Sequence, residues 1–130
     1  MLPAEIARLS KAYHMSDKPD LASAGIRTRD ELGLVNLYKA GLDSTYSDSV
    51  YLAVRKEYCL NSSMRQKYLY EIDLSALDKT LFAGDEDAVG HCDIASEDDW
   101  VSSIMCMGTF RYRGSIPASA VQRLSSGVGR

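Results

Sequence analysis

Residues 68–73 read Tyr-Leu-Tyr-Glu-Ile-Asp, and that alternation limits the chain more than any other feature. In an extended strand it sets Tyr68, Tyr70 and Ile72 on one face and Leu69, Glu71 and Asp73 on the other. A strand with an apolar face is not stable alone. It needs neighbouring strands and a second layer to cover it. Residues 109–113 repeat the pattern, with Phe110 and Tyr112 opposed to Thr109, Arg111 and Arg113. By composition, residues 12–16 (Ala-Tyr-His-Met-Ser) and 49–54 (Ser-Val-Tyr-Leu-Ala-Val) supply further strands.

Short helical segments separate these strands. Pro3 opens one over residues 4–12, with Ile6 and Leu9 on a shared face. A second covers residues 17–24 and ends at Gly25, and residues 26–29 form an extended connection. Asp30 caps a third over residues 31–40, in which Leu34, Leu37 and Tyr38 share a face before Gly41. Residues 42–49 form a polar loop, and residues 55–66 a helix behind the strand that precedes them. Ser96 and Asp99 are placed as a capping box for a helix over residues 98–107, with Gly108 beyond its end. Residues 78–99 receive no firm assignment, and residues 115–124 close the domain. The expected class is α+β, as one domain over residues 1–124 with a tail at 125–130.

At 130 residues, folding removes about two thirds of the unfolded chain's surface from water, so a core needs no metal or disulfide. Fifteen basic and eighteen acidic side chains leave a net charge of -3, which excludes a strongly basic nucleic-acid binder. The total conceals a split. Residues 71–107 hold 10 acidic and 1 basic side chain (-9), whereas residues 108–130 hold 4 basic and none acidic (+4). The three cysteines, Cys59, Cys92 and Cys106, include no CxxC pair, so reduced thiols are expected. No apolar run approaches the ~18–20 residues that cross a bilayer, and no secretory signal is visible. These features point to a soluble cytoplasmic protein, or one acting in a host cytoplasm after delivery.

None of GxxxxGK[ST], GxGxxG, HExxH or GxSxG occurs, and two histidines are too few for a multi-histidine metal site, so no metal is expected. Adjacent His91 and Cys92 point to opposite faces of a strand, and His91 reads as a loop histidine. His14, between Tyr13 and Met15, is either a hydrogen-bonded core histidine or one presented at a cleft to a sugar hydroxyl. Tyr51 is either a core tyrosine or a flat surface for an aromatic ring. Arg27 with Arg29, and Arg111 with Arg113, are i, i+2 pairs. On strands each pair points to one side, an arrangement that suits a diphosphate as well as it suits solvent.

Taken in order, Tyr13-His14-Met15-Ser16, Ala24-Gly25-Ile26-Arg27, Ser49-Val50-Tyr51-Leu52-Ala53, Tyr68–Leu74 leading into Ser75-Ala76-Leu77-Asp78, and Gly108–Pro117 resemble the ADP-ribosyltransferase superfamily. The likeness is to its small members of the RNA 2′-phosphotransferase, rifampicin ADP-ribosyltransferase and toxin kinds, and it covers about residues 12–124. It implies a split, mixed β-sheet whose cleft binds NAD as substrate. His14 would hold the nicotinamide-side ribose, Ser16 is the accompanying hydroxyl, and Tyr51 would stack on nicotinamide. Arg27, Arg111 and Arg113 are the phosphate candidates. The implied reaction is attack on the ribose carbon as nicotinamide leaves, with a macromolecule as acceptor, in a toxin, effector or phage counter-defence protein.

The chain departs from that pattern at the last motif. Where many transferases carry a glutamate, this chain has Thr109, which is not a general base at neutral pH. Glu71 or Glu97 would have to be brought in by the fold. The phosphotransferase branch would use the arginines, but its N-terminal Arg-His motif is absent. The alternative is a member of the fold without catalysis, binding a basic protein through the acidic surface of residues 71–107. Membranes are not expected as partners, and nucleic acid is the less suited macromolecule.

Overall fold

The computed structural model describes residues 2–33, 48–58 and 68–124. In chain order the elements are α1 (Pro3–Ala7), β1 (Lys11–Ser16), α2 (Leu21–Ala24), β2 (Val50–Ala53), β3 (Tyr68–Asp73), β4 (Phe82–Gly84), α3 (Glu86–His91), α4 (Trp100–Met107), β5 (Thr109–Tyr112) and β6 (Val121–Arg123). Among the described residues, three 3₁₀ turns, Leu74–Ala76, Lys79–Leu81 and Ala118–Ala120, join them. The strands form one sheet in the order β4-β5-β2-β1-β3-β6. Every neighbouring pair is antiparallel, so α+β is correct but the expected mixed sheet is not. The tail at 125–130, most of the helix expected at 31–40 and most of that expected at 55–66 lie outside the described residues.

Alternation sorts the side chains as the sequence implies. Tyr70 and Ile72 of β3, Val50 and Leu52 of β2, and Phe110 and Tyr112 of β5 join Ala12 in the main core. Phe82 of β4 lies edge-on to Trp100, Phe110 and Tyr112, with ring centroids 5.1, 5.3 and 5.9 Å away. The other face carries a smaller cluster of Met15, Ala53 and Leu69, flanked by Tyr13 and Leu124. Burying a side chain such as Ile72, which is fully buried, contributes about 1.5–3 kcal/mol.

Several boundaries shift. The first helix stops at Ala7, because Lys11 already pairs with Asp73 in the ladder. Residues 17–24 condense to the single turn α2, whose end Gly25 marks at φ +81°. Asp99 is itself the N-cap of α4, accepting from the Ser102 amide, while Ser96 accepts from the Asp98 amide. Gly108 ends α4 at φ +73°. The unassigned acidic region contains β4 and α3. β4 is three residues long, too short for a visible alternation.

The cysteines need correction. Cys92, at the end of α3, and Cys106, in the last turn of α4, form a disulfide with Cα atoms 6.5 Å apart. Packing of α3 beside α4 brings them within bridging distance, which their 14-residue separation does not reveal. Three reduced thiols are not what the fold holds, so the cysteine count no longer argues for the cytoplasm. No helix among the described residues is long and apolar enough to cross a membrane.

Candidate functional site

β1 and β2 meet through the single pair Tyr13↔Ala53. Two residues further along, a continued ladder would oppose Met15 to Tyr51. Instead the Tyr51 carbonyl oxygen lies 2.8 Å from His14 Nδ1. A carbonyl only accepts, so Nδ1 carries the proton and Nε2 is left as an acceptor. Burial lowers the His14 pKa, opposed in part by the Tyr51 carbonyl, which favours the cation. His14 is therefore a neutral imidazole of defined tautomer at the place where the sheet divides.

His14 lines a pocket of about 250 Å³ with Ser16, Lys18, Asp20, Ile26 and Arg27. Its floor is apolar, from Leu21 and Ile26 of the core, and its rim is formed by exposed polar side chains. The Ser16 hydroxyl accepts the Lys18 amide at 3.1 Å, turning the chain out of β1. Tyr70 holds this wall from below, its hydroxyl donating to the Lys18 carbonyl and accepting from the Leu21 amide. Gly25 closes the far side. A Cβ there would meet the Ile116 carbonyl at 2.7 Å, because Ile26 and Ile116 form an antiparallel bridge. Arg27 is half-exposed and held by Glu31 at 3.0 Å. Glu31 also accepts from Ser115, and the two bonds lower its pKa.

Three expected site residues, His14, Ser16 and Arg27, thus converge. Tyr51, Thr109, Arg111 and Arg113 do not join them. Val50 and Leu52 enter the main core while Ala53 lies in the smaller cluster, so the Tyr51 side chain leaves the face opposite to that of His14. Its hydroxyl donates to Glu86 Oε2 at 2.8 Å, and burial followed by that carboxylate raises its pKa. Tyr51 reaches the pocket side only through its backbone oxygen, so it does not offer its ring there. The Thr109 hydroxyl is buried without a hydrogen-bond partner among the described residues, while its carbonyl accepts from Ser103.

Arg111 is 2% exposed. Its Nε donates to the Gly84 carbonyl at 2.7 Å, Nη1 to Ser49 Oγ at 2.9 Å and Nη2 to Glu97 at 3.4 Å. Arg113 pairs with Asp98 at 2.9 Å. The i, i+2 pair does point to one side, but toward acids of the same chain and away from the pocket. As phosphate-binding residues both are corrected, because their donors are already committed within the fold.

The acidic block is explained by the same contacts. Asp73, Asp78, Asp85 and Asp99 each accept a backbone amide at the start of a helix or 3₁₀ turn. Glu71 pairs with Lys11 at 3.2 Å, Glu86 accepts from Tyr51, and Glu97 and Asp98 hold the arginines. Eight of the ten carboxylates between residues 71 and 107 are thereby committed. Asp85, Glu86 and Asp87 bring carboxylate oxygens within 4.8 Å of one another, but the first two serve α3 and Tyr51. His91 ends α3 and is exposed, and Cys92 beside it is in the disulfide, so the pair makes no Cys-His centre.

Sequence reasoning missed Lys18, Asp20 and Glu86. The polar run at 17–20 directly after a strand was the available signal for the first two. Glu86 had none, since its partner is 35 residues away. No family model, no curated protein and no solved structure matches this chain.

Proposed function

We propose that the pocket at His14 binds NAD or a related ADP-ribose compound, on a scaffold of ADP-ribosyltransferase type. The observation that carries this reading is the convergence of His14, Ser16 and Arg27, with Lys18, on one pocket where β1 and β2 separate. Each has a chemical task. His14 Nε2 accepts a ribose hydroxyl, and the Arg27 guanidinium and Lys18 ammonium face phosphate oxygens.

Binding is better supported than transfer. Transfer breaks the bond from ribose to nicotinamide through an oxocarbenium-like state, and a base must take the proton of the attacking group. Glu71 is tied to Lys11, Glu97 to Arg111, and Thr109 supplies no carboxylate. Modification of a macromolecule, as in a toxin or effector, therefore rests on a base contributed from elsewhere.

Isothermal titration with NAD and with ADP-ribose tests the reading. Wild type should bind both, His14→Ala should lose most of the affinity, and Tyr51→Ala should retain it. No binding by folded wild type, or affinity unchanged in His14→Ala, overturns it.

A further inference from the structure

Resting on the nucleotide reading of the His14 pocket, we infer that Tyr70 and Arg123 are positioning residues for the ligand. They fix the turn from Lys18 to Leu21, so that Lys18 is presented to a phosphate. Tyr70, on β3, is 0% exposed and stands directly across from His14 of β1 in the ladder. Its hydroxyl donates to the Lys18 carbonyl and accepts from the Leu21 amide at 3.4 Å. Those two groups open and close a four-residue turn whose second position is Pro19, a residue suited to that place. In many β-turns they bond each other, whereas here a side chain from the sheet bridges them. Arg123 of β6 is the register partner of Tyr70. Its Nη1 donates to the Pro19 carbonyl at 3.3 Å, and its guanidinium lies 4.4 Å over the centre of the Tyr68 ring.

The turn's other contacts are local. Ser16 Oγ accepts from the Lys18 amide, and the Asp20 carbonyl accepts from the Ser23 hydroxyl and the Ser23 and Ala24 amides. The backbone is therefore held at the Lys18 amide and carbonyl, the Pro19 and Asp20 carbonyls and the Leu21 amide. The Lys18 side chain is not. Among the described residues its ammonium has no hydrogen bond or ion pair, and Lys18 lines the pocket. A fixed backbone carrying an uncommitted cation is a preorganised anion contact, because ordering the turn is a cost of folding and not of binding. Without the Tyr70 hydroxyl, the Lys18 carbonyl and Leu21 amide lose their common partner, and the turn must be ordered when the ligand arrives. Arg27, the pocket's other cation, is held by Glu31 outside this turn.

Calorimetric titration of ADP-ribose against wild type, Tyr70→Phe, Lys18→Ala and the double variant tests this, with thermal melts showing each to be folded at the assay temperature. Tyr70→Phe should weaken binding about tenfold when Lys18 is present, and no more than about twofold in Lys18→Ala, because the two residues are coupled. In Arg27→Ala the loss on Tyr70→Phe should stay about tenfold, since Glu31 orients Arg27 independently. A tyrosine that served only stability would show no such difference between the two backgrounds. Should Tyr70→Phe not fold, Arg123→Met carries the test, with a loss of about threefold in the presence of Lys18 and none in Lys18→Ala. Unchanged affinity in the folded positioning variant overturns the inference and leaves the nucleotide reading standing. So does an equal loss in both backgrounds, or a Lys18→Ala that binds as wild type does. Failure of folded wild type to bind ADP-ribose overturns both.

Discussion

His14 Nδ1 lies 2.8 Å from the carbonyl oxygen of Tyr51, so a backbone bond joins the two residues that the sequence reading joined through a shared ligand. The bond sits where β1 and β2 part after Tyr13↔Ala53. It fixes the tautomer in which Nε2 is the acceptor, while strand alternation puts the Tyr51 ring on the other face of the sheet.

That geometry predicts a pH dependence. The folded His14 has its pKa lowered below the ordinary ~6.5, mainly by burial. Below that value the unfolded chain binds more protons than the folded one, so stability falls as pH drops. Its contribution is complete above about pH 6.5 and is lost as the pH descends through the folded value. Carboxylates with lowered values, such as Asp99, held by Ser102, change stability in the same direction at lower pH. Urea midpoints between pH 7 and pH 5 should therefore decline more steeply in wild type than in His14→Asn. Equal slopes would remove His14 as the cause.

Tyr51→Phe separates the two faces. Deleting the hydroxyl should cost about 1 kcal/mol through the lost bond to Glu86, at a half-buried site. It should leave NAD affinity within about twofold, well under 1.4 kcal/mol. A drop of tenfold or more in calorimetry would place the Tyr51 side chain in the pocket.

Arg111 contributes to the stability of the fold and not to ligand affinity. Arg111→Met strips the buried Gly84 carbonyl and Ser49 hydroxyl of their donor and should cost about 1–3 kcal/mol for each group left unsatisfied, read in urea unfolding. Arg111→Lys restores the charge without the fork of donors, so it should recover only part of that loss. A neutral Arg111→Met would show that water satisfies both groups.

Closing the 15-residue loop from Cys92 to Cys106 should stabilise the fold by about 3 kcal/mol. Thermal melts should shift downward on adding a dithiol reductant to wild type, and the Cys92→Ala/Cys106→Ala variant should melt low with or without it. Thiol titration of the denatured chain should count two fewer thiols before reduction than after it. Three thiols before reduction would rule the bridge out.

Gly25→Ala tests the pocket wall. Its φ of +81° with ψ 170° belongs to glycine, and the new methyl would meet the Ile116 carbonyl at 2.7 Å. Destabilisation of about 1–3 kcal/mol is expected from the backbone conformation, before the clash. NAD affinity should fall as the Ile26↔Ile116 bridge is displaced. A variant as stable as wild type would mean that the wall yields freely.

The alternation of Tyr68, Tyr70 and Ile72, and of Phe110 and Tyr112, could be read from residue order because a strand's two faces are a local property of its backbone. So could the stop of α4 at Gly108. Which face of one strand adjoins which face of another was not local. His14 and Tyr51 were both recognised as candidates, and each motif was compatible with one cleft until the Tyr13↔Ala53 register put their side chains on opposite sides. The charge split was visible in composition, yet its cause lies in contacts across the fold. Arg111 and Arg113 meet Glu97 and Asp98, 14 and 15 residues away in the chain, through the fold that also pairs β5 with β4. The same holds for Cys92 with Cys106 and for Tyr51 with Glu86, partners 14 and 35 residues apart. Side-chain chemistry can be named from residue type, whereas its partner is chosen by how distant segments pack. Only that packing turned Arg111 and Arg113 from phosphate candidates into partners of Glu97 and Asp98.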